Sequence, residues 1–224
     1  MKRKIITTSD GSKTIHIEDW DEQYHSRHGA IQEAYHVFIG EGLSLFENES
    51  ITILEIGFGT GLNALITWME SGKRNLIINY YGVEAYPVTM EELLALNYIS
   101  QLNARSFQEG FFKMHEPPWE GEVRISDNFK LIRQQKDFIT IDDQSLFNLV
   151  YFDAFGARVQ PELWTTIVFS KMFNALKPNG VLVTYAAKGS VRRALQEVGF
   201  TVERLPGPPG KREMLRAIKS MDNS

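Results

Sequence analysis

The sequence predicts an α/β fold, doubly wound, with a mostly parallel sheet, helices on both of its faces and an antiparallel strand pair at the C-terminal end. Three observations lead there. Short, β-branched apolar runs alternate with longer segments of helical spacing, the pattern of strands buried on both faces. A dense glycine cluster, residues 57–61, joins the first such run to the helix after it. The last two apolar runs are separated by a Pro/Gly turn and no helix, so they pair with each other.

The elements follow in order. Ser50 to Ile56 is the first core strand, and Leu62 to Glu70 continues from the glycines with helical spacing. Leu76 to Val83 is the second strand, ending at Glu84. Pro87 is expected to open a helix through Tyr98, since proline suits a first helical turn and Glu91 and Glu92 stand just behind it. Val123–Ser126 and Phe129–Gln134, joined at Asp127-Asn128, read as a hairpin whose second arm is the third core strand. Leu146 to Phe152 is the fourth and stops at Asp153. A helix from Pro161 to Leu176 is expected to end at Lys177-Pro178-Asn179-Gly180. Val181 to Ala186 is the fifth strand, Ser190 to Val198 a helix closed by Gly199, and Phe200–Arg204 with Glu213–Ile218 the final antiparallel pair. The short elements before residue 50 are expected to form an N-terminal extension or lid, 1–49, packed on a core domain, 50–224, as one compact unit. In such folds ligands bind at the carboxyl ends of the strands, near the point where strand order reverses.

A chain of 224 residues is long enough for one domain with its own core, and no repeat or linker divides it. Apart from a polar tail after Lys219, nothing in it reads as low complexity. Met1 to Gly11 has no apolar stretch of signal-peptide length and no later run is long enough to span a bilayer, so a cytoplasmic protein with no membrane partner is expected. The absence of cysteine excludes disulfides, thiol nucleophiles and thiolate zinc sites. It equally excludes cluster-based radical methylation and nucleobase carbon methylation through a cysteine adduct, leaving heteroatoms as acceptors in any methyl transfer. The formal net charge is -4, but from Lys171 onward ten Lys/Arg face four Asp/Glu. A basic face for a polyanion and ordinary solvation of helices both account for that split.

The most informative stretch is Leu54-Glu-Ile-Gly-Phe-Gly-Thr-Gly-Leu-Asn63. Glycines at 57, 59 and 61 let the backbone turn tightly and approach a ligand. Three details favour S-adenosyl-L-methionine over a dinucleotide. Glu55 lies two residues before the first glycine, placed to face the ligand's ammonium or its water shell; the spacing is GxGxG, not GxGxxG; and Glu84 ends the next strand, where a carboxylate can accept both ribose hydroxyls. The candidate cofactor set is therefore Glu55, Gly57, Phe58, Gly59, Thr60, Gly61, Asn63 and Glu84. Asp137, after the third strand, joins it as a candidate for the adenine amino group, with a helix cap as the other reading. Asp153 stands where the fourth strand ends, beside the expected methyl donor. A carboxylate there suits an amine acceptor, whose nitrogen gains positive charge as it is alkylated. Orientation and charge stabilisation are its first role, proton acceptance its second. Phe155 either walls the acceptor or is simply core.

These segments resemble the MnmC methyltransferase domain and its stand-alone MnmD form, the tRNA 5-aminomethyl-2-thiouridine methyltransferases. The resemblance is carried by His36-Val-Phe-Ile39, Glu55 to Asn63, Val83-Glu84, Asp153-Ala-Phe155, Pro161-Glu-Leu-Trp164, Val191-Arg-Arg-Ala-Leu195 and Gly210-Lys-Arg-Glu-Met-Leu215, from about residue 20 to 218. It implies a Rossmann-like class I fold, S-adenosyl-L-methionine bound by Glu55 to Gly61, Glu84 and Asp137, and Asp153 essential for N-methylation of the 5-aminomethyl group at the tRNA wobble uridine. Bifunctional relatives carry a further flavin oxidase domain, so with no flavin and no metal this chain is expected to act on the exposed amine only. The family's Phe-Ala-Pro-x-Lys run is here Phe155-Gly-Ala-Arg-Val-Gln-Pro161, with Arg158 one position early as a substitute for the lysine.

With tRNA as the expected partner and no stable protein partner implied, Arg158, Lys188, Arg192, Arg193, Lys211 and Arg212 become candidate substrate and phosphate contacts. Arg192 and Arg193 are adjacent on a helix and cannot point the same way. Pro206 to Gly210 either rims the site or only connects two strands, and Tyr24 and His28 are candidates for a lid over the acceptor. His25, His28 and His36 lack the cysteines or tight acidic cluster of a metal site. The competing readings are a small-molecule N-methyltransferase or aminopropyltransferase of the same fold, an NAD-dependent oxidoreductase, and a non-catalytic RNA-binding protein.

Overall fold

The computed structural model describes residues 2–221; residues 222–224 of the polar tail lie outside the described residues, as does Met1. The chain opens with a small antiparallel sheet of β1 (Arg3–Thr7), β2 (Lys13–Ile17) and β3 (Glu22–Gln23). α1 (Ala30–Ala34) follows and widens into a π-helical turn, Tyr35–Gly40. The central sheet is then laid down as β4 (Ser50–Ile56), α2 (Leu62–Lys73) and β5 (Ile77–Val83). After β5 come α3 (Met90–Ala95), α4 (Tyr98–Gln101), α5 (Gln108–Lys113), β6 (Gly121–Ser126) and β7 (Phe129–Gln134). The chain closes with β8 (Phe147–Phe152), α6 (Thr166–Ala175), β9 (Leu176–Thr184), α7 (Gly189–Val198), β10 (Thr201–Pro206) and β11 (Glu213–Ile218).

The eight strands of that sheet lie in the order β10-β11-β9-β8-β4-β5-β7-β6. β7, β5, β4, β8 and β9 run parallel, while β6, β11 and β10 each pair antiparallel with their neighbours. The chain moves outward from β4 to β5 in one direction and from β8 to β9 in the other, so order reverses between β4 and β8, with Ile56 opposite Phe152. Burying strands on both faces needs two apolar layers, and two are present. One gathers α1, α2 and α5 around Phe38, Leu65, Tyr80 and Phe111; the other gathers α6 and α7 around Phe152, Phe169 and Leu195. Ala30, Ala34, Val37, Phe38 and Leu43 belong to the first layer, so this stretch of the N-terminal part shares a core with β4 and β5. Among the described residues no helix is long and apolar enough to cross a membrane.

Two expected helices are shorter than their sequence pattern suggests. The helix expected from Pro87 starts instead at Met90. Thr89 accepts the Glu92 N–H at 3.2 Å while Glu92 accepts the Thr89 N–H at 2.8 Å, a reciprocal cap that outcompetes proline as the start signal. It then breaks at Leu96, whose ψ of 158° is extended. The helix expected from Pro161 splits at Thr165, which is also extended, into a 3-10 turn (Pro161–Trp164) and α6. The Trp164 indole N–H donates to the Phe155 carbonyl at 2.8 Å and ties that turn to the loop after β8. Pro178, Asn179 and Gly180 do interrupt the chain, but as a bulge within β9, between the pairs Phe147–Leu176 and Leu149–Val181.

Candidate active site

A cavity of about 400 Å³ opens at the carboxyl ends of β4, β5 and β8, the reversal point of the sheet. That size is within the range of small-molecule sites. One side is the loop after β4. At Gly57 (φ +85°) an added Cβ would lie 2.7 Å from the Asp153 carbonyl oxygen, so the approach of the β4 and β8 ends requires glycine there. Phe58 and Gly59 complete this side, and the Gly59 N–H donates to Glu84 Oε2 at 3.0 Å. Glu84 Oε1 accepts the Tyr86 N–H at 2.8 Å, so the carboxylate is fixed by two backbone donors at the end of β5. Burial pushes its pKa up against these hydrogen bonds.

At the reversal point four side chains form one network. The Asn63 amide, 3 % exposed, donates both to Glu55 Oε1 and to Asp153 Oδ2, each at 2.8 Å. Glu55 Oε2 accepts from the Tyr80 hydroxyl at 2.8 Å. Glu55 is 1 % exposed and does not line the cavity, so of the two readings, facing a ligand ammonium or its surroundings, the geometry puts it behind Asn63. With its N–H groups turned to two carboxylates, Asn63 leaves Oδ1 buried without a hydrogen-bond partner. Asp153 lines the cavity, and among the described residues no protein donor meets its Oδ1. Burial, then the Glu33 carboxylate, raise the Asp153 pKa well above the ordinary range, while Asn63 and Lys211 oppose the shift.

The opposite side comes from the N-terminal segment. Tyr24 lies over Gly59 and meets Phe155 edge-on at 5.1 Å between ring centroids; Trp20 meets Phe155 from another direction at 5.5 Å. His28 packs on Gly210 (φ +83°) so closely that a Cβ there would fall 2.2 Å from the imidazole. The turn ending at Gly210 thus rims the cavity. Glu33, 7 % exposed, accepts the Ser26 N–H at 2.9 Å and an ion pair from Lys211, whose ammonium sits 3.9 Å from the centre of the Tyr185 ring. The Tyr185 hydroxyl donates to the Ala154 carbonyl at 2.8 Å, next to Asp153.

Several sequence expectations are relocated by this geometry. Lys211 is turned into the cavity by Glu33 and Tyr185, not outward with Arg212, which is exposed. Arg158 is spent on the N-terminal segment, donating to the carbonyls of Trp20 and Asp21 at 3.1 and 2.9 Å and to Glu22 at 3.1 Å. Thr60 turns away from the cavity to the Tyr98 hydroxyl, 3.1 Å away, while Gly61 forms the left-handed entry to α2. Asp137 caps the following turn through the Ile139 N–H at 3.0 Å, and its neighbour Phe138 is the residue that lines the cavity. Lys188 and Arg193 are exposed and Arg192 is half-buried. The histidines do not converge: His25 meets Thr14 at 2.9 Å, with burial lowering its pKa to about 4, and His36 meets the Pro206 carbonyl at 2.8 Å. No cluster of three or more metal-binding side chains occurs among the described residues. Glu33 and Tyr185 were absent from the sequence reading, since neither sits in a motif and only the fold brings them to Asp153.

Comparison with known proteins is consistent with this placement. Residues 113–220 match a family described as S-adenosyl-L-methionine-dependent methyltransferase. Two tRNA 5-methylaminomethyl-2-thiouridine biosynthesis bifunctional proteins MnmC are each 32% identical: that of Ralstonia nicotianae over 87% of this chain and 31% of its own length, that of Aromatoleum aromaticum over 95% and 35%. The chain thus spans about a third of the length of these curated relatives. The crystal structure of MnmC2 from Aquifex aeolicus aligns over 96% of this chain and 69% of that one, with a TM-score of 0.75 and 26% identity. A probable spermidine synthase from Corynebacterium glutamicum aligns over 99% of this chain and 79% of its own, with a TM-score of 0.54 and 14% identity, and shares the fold alone.

Proposed function

We propose that the chain is an S-adenosyl-L-methionine-dependent methyltransferase that N-methylates the exocyclic amine of 5-aminomethyl(-2-thio)uridine at the wobble position of tRNA, giving 5-methylaminomethyl-2-thiouridine. The observation that carries this reading is Asp153, a carboxylate with one oxygen fixed by Asn63 and the other open to a cavity at the strand reversal point.

The cofactor fits the residues present. The glycine backbone at 57 and 59 leaves room where side chains would intrude, and Glu84 is pre-oriented for a diol. When bound, S-adenosyl-L-methionine supplies an electrophilic methyl group on a sulfonium. Gly57, Phe58, Gly59, Asn63 and Glu84 hold it in this reading, with Glu55 acting through Asn63 and Phe138 against the ring system. Asp153 Oδ1 accepts an N–H of the acceptor amine and points the nitrogen lone pair into the cavity. The positive charge that develops on nitrogen is met by a carboxylate already in place. Raised affinity for a proton then makes Asp153 a competent acceptor of the one the methylated amine sheds. Phe155, held edge-on by Trp20 and Tyr24, walls the acceptor and keeps bulk water from that side. Lys188, Arg193 and Arg212, all exposed, are the candidate phosphate contacts.

The test is methyl transfer from labelled S-adenosyl-L-methionine to tRNA carrying 5-aminomethyluridine, with carboxymethylaminomethyl tRNA as the control. Label in the first alone is expected. Label in neither, with cofactor bound, would redirect the search to small amines.

A further inference from the structure

Lys211 has no place in the phosphate footprint, and its surroundings suggest another task. Its ammonium carries three N–H donors. Among the described residues its one hydrogen-bond acceptor is Glu33, and the rest of its environment is the Tyr185 ring face and the cavity. Glu33 is committed on both oxygens, one to Ser26 N–H and one to Lys211, so the pair is a fixed charge element on the acceptor side. Lys211 and Asp153 both line the same cavity of about 400 Å³, so a single ligand seated there faces both. The site therefore offers an acceptor a carboxylate oxygen free to receive N–H and, close by, an ammonium with N–H left to give.

Resting on the function proposed above, we infer that Lys211 is a specificity-determining residue of the acceptor site, donating a hydrogen bond to the carbonyl oxygen at position 4 of the pyrimidine while Asp153 takes the neighbouring aminomethyl group. The match is chemical. In a 5-aminomethyluracil the amine and the 4-oxo oxygen project from the same edge, one a donor and the other an acceptor. Asp153 and Lys211 present the complementary acceptor and donor. The cation–π contact with Tyr185 and the ion pair with Glu33 hold the ammonium in place, and only one of its three N–H donors goes to a protein acceptor among the described residues. A cytosine carries an amino group at that position, so two donors would face each other, and a site built to hydrogen-bond one group rejects its opposite strongly.

The experiment compares two anticodon-stem hairpins, identical except that the wobble base is 5-aminomethyluridine or 5-aminomethylcytidine. Wild type is expected to favour the uridine by about 100-fold or more in kcat/KM. Lys211→Met should reduce that ratio to within about fivefold, and Lys211→Arg, which keeps a cationic donor, should retain most of it. Because Lys211→Met strands Glu33 as a buried unpaired charge, the Glu33→Gln/Lys211→Met double variant provides a second form in which the fold is not strained by that charge. Cofactor affinity and thermal melting certify both. A purely structural lysine would lower both substrates alike and leave the ratio untouched, which overturns the inference while sparing the proposed function. Wild type that methylates neither hairpin overturns both.

Discussion

The strand-end side of the cavity hangs on the core of the protein, whereas the N-terminal cover hangs on a few side-chain ties. Gly57, Asn63, Glu84 and Asp153 are one or two residues from central strands or in the first turn of α2, and their hydrogen bonds run to each other and to backbone N–H groups. Segment 20–28 is joined to the rest largely through Arg158 to Trp20, Asp21 and Glu22, the Tyr24 and Trp20 rings on Phe155, and His28 on Gly210. Behind it Arg3 anchors the small sheet to Glu92 at 3.0 Å and to the Tyr86 carbonyl at 2.7 Å. The first side has one geometry because moving it would unpair buried polar groups. The second meets the loop after β8 through the exposed Arg158 bonds and ring edges, contacts that exchange for water at low cost, which suits a part that must admit a large acceptor.

The sharpest way to test that division is to remove a group from each side. Asp153→Ala should lower kcat by about a thousandfold while leaving cofactor affinity, read by titration calorimetry, within a few-fold. Near-normal turnover would take the chemistry away from the strand-end side. Arg158→Ala should act differently, releasing three contacts of the cover. A rise in acceptor KM of about tenfold is expected, with faster proteolysis before residue 29 and a loss in melting temperature below about 3 °C. An unchanged KM would mean that the cover does not shape the acceptor site.

The same division explains what the sequence discloses. The strand-end side is legible because each of its parts is dictated locally: a glycine where β4 must pass β8, a carboxylate where β5 ends, another where β8 ends. Glu55 shows the limit of that logic. Its position beside the glycines is readable, but only the pleat of β4 shows that its carboxylate supports Asn63 from behind. The cover is legible only in part: Tyr24 and His28 stand out as lid candidates and do line the cavity, but Glu33 and Lys211 are 178 residues apart and nothing local announces that they meet. Arg158 misleads for the same reason: a basic residue beside a catalytic aspartate suggests a substrate contact, whereas its partners are three residues of a segment 136 to 138 positions away.

Charge on the strand-end side gives a smaller, pH-dependent signature. Burial raises the pKa of Glu55, Glu84 and Asp153, so in the ligand-free protein the ionised forms are disfavoured relative to the unfolded chain. Stability from these groups is fully present below ordinary carboxylate pKa values and is lost as pH rises through the raised ones. Asp153→Asn should therefore melt a few degrees above wild type at neutral pH, the gap closing towards pH 4. Wild-type affinity for the cationic cofactor should rise over the same interval, with proton release on binding visible in buffers of different ionisation enthalpy. A gap that does not vary with pH would show that Asp153 is ionised at no cost in the free protein.

The smallest effect belongs outside both sides, on the exposed face. Arg193 and Arg212 project to solvent, so their loss leaves the cavity's charges in place. If they neutralise phosphates, Arg193→Ala with Arg212→Ala should weaken tRNA binding only a few-fold at physiological salt and lower the slope of log affinity against log salt by about two. Cofactor affinity and turnover at saturating tRNA should not move, because neither side chain lines the cavity. Lys211→Met makes the useful contrast: it removes one unit of charge where the exposed pair removes two, and removes it from inside. Its effect should fall on the choice of acceptor base and leave the salt slope alone. Were the slope to drop with Lys211 and not with the exposed pair, polyanion contact would belong to the cavity mouth and not to the outer face.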